Sequence, residues 1–202
     1  MNTESHVSAE VLQAGLSAIK DSPRAASTLE LIVRRPDKEL REIVDEAQLH
    51  PTEGLKGDNW LTRGSSRTAD GRAHPEMQLT IVNARAIALI AGSREKWALA
   101  GDQLFFEMDL SVTNLPAGSR LQIGEATIEI TRPPHLGCAK FKTRYGADAL
   151  AFVNSEIGRA LRLRGANARI LSGGVIRVGD EITMVDGSSE SAPGSEEGST
   201  KR

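Results

Sequence analysis

The feature that most constrains the fold of this chain is a series of short segments in which apolar and polar residues alternate. Leu29, Leu31 and Val33 occupy every second position of one segment, and the segment 126–130 shows the same pattern. This alternation is typical of half-buried β-strands. Glycine–acid pairs between such segments favour tight turns, and they occur at 57–58, 101–102, 124–125 and 179–180. The sequence therefore predicts a mostly β, barrel-like fold with a few short peripheral helices.

Two helices and a closing pair of strands complete this prediction. Asn83 is a suitable N-cap for a short helix that Gly92 would end. A longer amphipathic helix is predicted over 147–163. The segment 173–185 is predicted to form two paired strands that turn at Gly179–Asp180.

Three regions follow from the composition along the chain. Residues 1–27 carry one modest amphipathic pattern and are predicted to form an N-terminal helical extension. Residues 28–186 contain the strand segments and form the predicted barrel domain. Residues 187–202 are rich in serine, glycine and glutamate, cannot bury apolar surface, and are predicted to be a disordered tail.

Composition argues against several classes of partner. The chain has a net charge of -2, and only 3% of its residues are aromatic, whereas nucleic-acid-binding proteins favour a basic surface and stacking rings. No apolar run approaches the roughly 18 residues of a membrane span. One cysteine and a polar start without a signal-like segment predict a reducing, cytoplasmic setting.

Cys138 is the sole cysteine of the chain and the strongest candidate for chemistry. It is either a small buried hydrophobic residue or a thiol with a function. It lies in a basic segment, 132–169, that has eight cationic and two acidic residues. Arg132, Lys140 and Arg144 are expected to flank it on a strand end and a loop, where nearby cations favour a thiolate and attract anions. A phosphorylated small molecule suits such a site better than a polymer.

Several segments, taken in their order along the chain, resemble those of the MOSC domain. This domain is the C-terminal module of molybdenum-cofactor sulfurases and also occurs as stand-alone bacterial proteins. The similar segments are Glu53–Asp58, Asp109–Gly118, Leu121–Ala126, Arg132–Cys138 and Gly165–Asp180. The resemblance implies a MOSC-like β-barrel.

The resemblance also implies a role for Cys138. Cysteines at this place in the family either ligate molybdenum in a bound pterin cofactor, Mo-molybdopterin, or carry sulfur as a persulfide. Many relatives have a His-Gly-Gly stretch where this chain has residues 71–78. Besides Cys138, the residues implied around the anionic pterin are Arg132, His135, Lys140, Arg144 and, from that divergent stretch, His74.

Three hypotheses for function remain open at this point. In the first, the chain binds the molybdenum cofactor and reduces N-oxygenated compounds with electrons from a redox partner. In the second, Cys138 carries a persulfide for a partner enzyme. Because the chain contains no pyridoxal-phosphate-dependent desulfurase domain, a separate cysteine desulfurase would have to supply the sulfur. In the third, the barrel is a non-enzymatic interaction domain.

Overall fold

A computed structural model describes residues 6–185 of the chain, so the predicted tail at 187–202 lies outside it. The α-helices are α1 Ala9–Ala14, α2 Leu16–Lys20, α3 Trp60–Arg63, α4 Ala84–Ala91, α5 Ala139–Asn154 and α6 Glu156–Ala160. The strands are β1 Ala26–Arg34, β2 Glu42–Val44, β3 Glu46–His50, β4 Gly54–Leu55, β5 Leu79–Asn83, β6 Leu104–Phe106, β7 Arg120–Ile123, β8 Ala126–Ile130, β9 Ala166–Ser172, β10 Gly174–Arg177 and β11 Glu181–Val185. None of these helices is long and apolar enough to cross a membrane.

Seven strands close into a mixed β-barrel, which confirms the predicted fold class. The strand order is β11-β7-β8-β9-β5-β6-β1, and pairing of β1 with β11 closes the ring. The β5–β6 pair is parallel, whereas the other barrel pairs are antiparallel. Strand β2 adds to the edge of β1, and β10, β3 and β4 form a second, small sheet. Closure leaves most barrel strands with a partner on each side, so few backbone groups lack hydrogen bonds.

Strand β1 separates two hydrophobic clusters. Leu29 and Ile32 belong to the cluster that contains the apolar residues of β7, β8 and β11. Leu31 and Val33 belong to the other cluster, together with the helices. The register of β1 against β6 shifts between Leu29 and Leu31. The prediction that Leu29, Leu31 and Val33 share one face is therefore wrong, because a bulge changes the face to which the later residues point.

The helices cover one side of the barrel. In α4, the Asn83 side chain accepts hydrogen bonds from the amides of Arg85 and Ala86, and Gly92 ends the helix with φ 73°. This confirms the predicted cap residues. The predicted N-terminal extension contributes Leu12 from α1, and Leu16 from α2, to the outer cluster.

The structure corrects the predicted long helix. Helix α5 begins at Ala139 rather than near 147, and Gly146 interrupts it with φ 93°. A separate short helix, α6, follows after Ser155. A glycine at positive φ breaks the apolar periodicity of the sequence, which hid the first turns of the helix. Cys138 consequently stands at the N-cap of α5.

The two closing strands exist, but they do not pair with each other. Strand β10 pairs with β3 of the small sheet, whereas β11 pairs with β7 and β1 of the barrel. The turn between them is present, with Gly179 at φ 97°. The Asp180 carboxylate accepts a hydrogen bond of 2.7 Å from the Arg177 amide across this turn. The predicted hairpin is therefore wrong, because the chain crosses from one sheet to the other at the turn.

Candidate functional site

A cavity of about 670 Å³ lies where β1, α3 and the N-terminus of α5 meet. This volume falls within the range of about 300–1,000 Å³ that is typical of small-molecule sites. Trp60 and Phe141 give it an apolar wall, while most of the remaining lining is polar. The size and mixed lining suit a small polar ligand.

Five of the six residues predicted to form the site line this cavity. They are His74, His135, Cys138, Lys140 and Arg144. Arg132 is not among the residues that line it. It is exposed and lines a separate cavity of about 160 Å³. His135 lines both cavities, whereas Arg132 lines the smaller one.

Cys138 is exposed and lies at the start of α5. The expectation that Lys140 and Arg144 occupy a strand end and a loop is wrong, because both lie in the first two turns of this helix. Residues four apart share one helical face, which brings the two cations together. The thiol and the two cations thus approach the cavity from one end of one helix.

A buried carboxylate organises the cavity floor. The Oδ2 atom of Asp102 accepts a hydrogen bond of 2.6 Å from Arg164 Nη1, and its Oδ1 atom lies 2.9 Å from His135 Nε2. The Asp102 side chain is fully buried. Burial alone would raise the pKa of Asp102, but the Arg164 charge and the His135 hydrogen bond together hold this pKa well below its ordinary value. Asp102 is therefore ionised and acts as an internal anion.

The surroundings of His135 fix its protonation state, and Asp102 fixes its tautomer. Burial and the nearby Arg164 charge lower the pKa of His135, although Asp102 opposes this shift. The imidazole is consequently neutral at neutral pH. Because an ionised carboxylate only accepts hydrogen bonds, the proton lies on Nε2 and the lone pair on Nδ1. His135 thus offers one acceptor atom that can take up a proton.

A second buried ion pair lies beside the cavity. Arg35 donates to Asp58 through Nε at 2.8 Å and through Nη2 at 3.0 Å, and it also donates to the carbonyl of Gly101 at 2.8 Å. Asp58 in turn accepts a hydrogen bond of 2.9 Å from the amide of Trp60 at the start of α3. A bidentate arginine–carboxylate pair is rigid as well as strong. This pair fixes the position of Arg35 in the cavity lining.

Sequence reasoning missed Asp58 and Asp102 because both follow a glycine and were interpreted as turn residues. Gly57 and Gly101 do adopt turn conformations, each with φ 84°. Both aspartate side chains, however, are fully buried against arginines. The two Gly-Asp pairs were visible in the sequence. The arginines that bind the two aspartates, Arg35 and Arg164, are 23 and 62 residues away from them along the chain.

Cations outnumber acids around the cavity. Among the lining residues, two carry carboxylates, Asp37 and Glu39, while seven are cationic: Arg35, Lys38, Arg41, Arg63, Lys140, Arg144 and Arg164. Burial and neighbouring arginines lower the pKa values of Arg41 and Arg63. Burial is the larger cause of these shifts and the neighbouring arginines add to it, so an anionic ligand beside Arg41 and Arg63 would favour their charged forms.

Several buried polar atoms of the lining also lack a partner. Within residues 6–185, the buried atoms of the cavity lining without a hydrogen bond are Arg41 Nε, Asn59 Oδ1, Trp60 Nε1, Arg164 Nε and Asn167 Oδ1. A buried polar group without a partner is costly and rare in folded proteins. These five atoms belong to residues that line one cavity, and a polar ligand that reached them would supply the missing partners.

A metal ion would find few protein donors here. The part of the chain that the structure describes holds no group of three or more histidine, cysteine or acidic residues that could bind a metal. A metal at this site would take Cys138 as a single thiolate ligand and the rest of its ligands from a bound cofactor or solvent.

These features define a class of protein, a closed β-barrel with a cationic small-molecule cavity and a thiol at its edge. Residues 70–183, which are more than half of the chain, match the family model described as the MOSC domain. The chain therefore belongs to the MOSC domain family. The match begins after β1 and α3, so Arg35, Arg41 and Asp58 lie outside it.

Solved structures support the same fold. The YuaD protein from Bacillus subtilis is 17% identical, with a TM-score of 0.59, and the alignment covers 79% of this chain and 95% of that one. YiiM from Geobacillus stearothermophilus is 12% identical, with a TM-score of 0.55 and coverage of 79% and 75%. YiiM from Escherichia coli is 18% identical, with a TM-score of 0.51 and coverage of 79% and 70%. No curated protein matches the chain in sequence.

Proposed function

We propose that this protein binds the molybdenum cofactor, an anionic pterin, in the main cavity, with Cys138 as a ligand of the metal. The observation that carries the proposal is the joint lining of one cavity by an exposed thiol, an excess of cations and several unpartnered buried polar atoms. Membership of the MOSC family supports the same cofactor.

The residues present fit such a group. The cofactor carries a phosphate, for which the arginines and lysines of the lining are suitable partners. The ring edges of a pterin carry donors and acceptors, which match the unpartnered atoms of Arg164, Trp60 and Asn167. The side chain of Arg164 also lies over the ring of Phe141, at 4.9 Å from its centre, which holds both groups in place.

The finer proposal is a reductase of N-oxygenated compounds. Reduction of an N-hydroxylated amine consumes two electrons and two protons and releases water. The bound cofactor would supply the two-electron chemistry, and a redox partner would deliver the electrons. Neutral His135, oriented by Asp102, can accept a proton at Nδ1 and pass it on.

Metal analysis tests the proposal. Protein purified from a host that makes the cofactor should contain about one molybdenum per chain, and Cys138→Ser should lose most of it because a hydroxyl is a poor soft-metal ligand. Ala139→Ser places a hydroxyl on the neighbouring exposed residue of α5 and should keep the metal. Wild-type protein without molybdenum, or Cys138→Ser with the full amount, would overturn the proposal.

A sulfur-carrier function is the alternative, and the exposure of Cys138 favours it. The Cys138 thiolate would attack the outer sulfur of a donor persulfide, and the donor thiolate would leave. The donor would be a separate cysteine desulfurase that uses pyridoxal phosphate. Cyanide-labile sulfur on Cys138, without molybdenum, would support this function. Absence of both signals, with an unreactive thiol, would instead support the non-enzymatic interaction domain.

A further inference from the structure

The loop between β1 and β2 closes over the mouth of the cavity. We call residues 36–41 the strap. Pro36, Asp37, Lys38, Glu39 and Arg41 of the strap all line the cavity. The strap is the turn of a short hairpin in which Arg34 pairs with Glu42. It therefore connects two fixed strands while its middle lies over the site.

Glu39 attaches the strap to helix α5. Its Oε1 atom lies 2.6 Å from Lys140 Nζ, and its Oε2 atom accepts a hydrogen bond from Arg144 Nη2. These two cations belong to the helical face that begins beside Cys138. A carboxylate that bridges two cations at the mouth of a cationic cavity occupies the place where an anionic group of a ligand would bind.

One of the two contacts that hold the strap closed is an exposed ion pair. The side chains of Glu39 and Lys140 are 51% and 61% exposed, and exposed ion pairs contribute little to stability. The Arg144 side chain is 17% exposed, so its pair with Glu39 is only partly open to solvent. Glu39 also has a φ of 62°, a conformation that is uncommon for residues other than glycine, asparagine and aspartate. An anion that binds the two cations more strongly can therefore replace this carboxylate. Release of the strap would also relieve the backbone strain at Glu39.

We propose that Glu39 is a built-in competitor at an anion subsite formed by Lys140 and Arg144, and that a phosphate-bearing ligand displaces it and opens the strap. This inference rests on the proposed function in that the cavity binds an anionic molecule. It adds the position of one anion-binding subsite and the group that fills this subsite in the free protein. The apparent affinity for the ligand is then the intrinsic affinity multiplied by the fraction of protein in the open state.

Pyrophosphate binding to wild type and variants tests the proposal, by calorimetry at fixed ionic strength. Glu39→Gln removes the competing charge and should bind pyrophosphate about three- to thirtyfold more tightly, the range expected when one exposed and one partly buried ion pair are lost. Glu42→Gln is the matched control. Glu42 pairs with Arg34 just beyond the strap and is not among the cavity-lining residues. The Glu42→Gln variant should therefore bind pyrophosphate with the same affinity as wild type.

Two further measurements make the test specific. When Lys140 and Arg144 are both replaced by alanine, the added Glu39→Gln change should no longer increase affinity, because its target subsite is gone. In wild-type protein, saturating pyrophosphate should speed hydrogen exchange of the amides at 37–41. Equal affinity of Glu39→Gln and wild type, no binding by any variant, or slower exchange in the strap would overturn the proposal.

The outcomes separate this inference from the proposed cofactor. Tighter pyrophosphate binding by Glu39→Gln in a protein that contains no molybdenum would keep the subsite and reject the cofactor. Stoichiometric molybdenum together with an unchanged Glu39→Gln affinity would keep the cofactor and reject the competitor.

Discussion

Replacement of Asp102 by asparagine tests the electrostatic basis of the cavity. Asp102 is fully buried and bonds both Arg164 and His135. The asparagine side chain keeps the shape of the aspartate. Its oxygen can still accept a hydrogen bond from Arg164, and its N–H group can donate one to His135 Nε2 if the imidazole changes tautomer. The substitution therefore removes mainly the charge. Arg164, whose side chain is 8% exposed, would remain as a buried cation that retains a hydrogen bond of 2.9 Å to the carbonyl of Ala100.

The expected cost is large. Removal of one partner from a buried ion pair costs about 3–5 kcal/mol, against a total stability of about 5–15 kcal/mol for an ordinary domain. With a urea dependence of about 1–3 kcal/mol per molar, the unfolding midpoint should fall by about 1 M or more. Circular dichroism during urea titration measures this shift.

Two comparisons make the result interpretable. Glu46 and Arg177 form an ion pair of similar length, 2.8 Å, but both side chains are more than half exposed. Glu46→Gln breaks this pair and should lower the free energy of unfolding by less than about 1 kcal/mol. Asp102→Asn combined with Arg164→Met removes both buried charges and should be more stable than Asp102→Asn alone. An Asp102→Asn variant within about 1 kcal/mol of wild type would refute the reasoning, as would a double variant that loses the sum of both single effects.

Two further predictions concern stability at acidic pH and the substitution of two glycines. His135 has a lowered pKa in the folded state, so below pH 6.5 the unfolded chain binds a proton that the folded one does not. The free energy of unfolding should therefore fall as pH drops from 6.5 to 5, by at most about 1.4 kcal/mol per unit. His135→Gln should reduce that slope in urea titrations across this range, and an unchanged slope would contradict the assignment. Gly165→Ala places a Cβ 2.2 Å from the carbonyl oxygen of Ile81 at φ 104° and should cost about 3 kcal/mol or more by thermal unfolding. Gly179 has φ 97° and open space around it, so Gly179→Ala should cost about 1–2 kcal/mol from backbone strain alone. Equal losses of stability in the two alanine variants would show that the contact with Ile81 is unimportant.

Local signals in the sequence predicted much of the fold. The alternation in 126–130 predicted β8, and its Ala126, Ile128 and Ile130 are fully buried. Asn83 and Gly92 predicted both ends of α4. These signals succeed because they depend on neighbours within a few residues. The resemblance around Arg132–Cys138 likewise predicted the family that the chain belongs to.

Local signals failed where distant segments decide the outcome. The pattern of 173–185 predicted two strands, but it does not say that β10 belongs with β3 and β11 with β7. The alternation of β1 gave no sign of the bulge that divides its residues between two clusters. Strand partners depend on which surfaces meet in three dimensions, and one local pattern is compatible with several pairings.

The sequence by itself determined the strand-rich barrel, the cap residues of α4 and the one cysteine that has a basic neighbourhood. Tertiary structure alone decided that Cys138, Arg41 and Glu39 line one cavity and that buried Asp102 holds His135 beside it. These residues lie far apart along the chain, and the pairs that assemble the site join residues 23 to 105 positions apart. A local pattern carries propensity and periodicity, whereas a buried charge shows its role only when the fold brings its partner into contact.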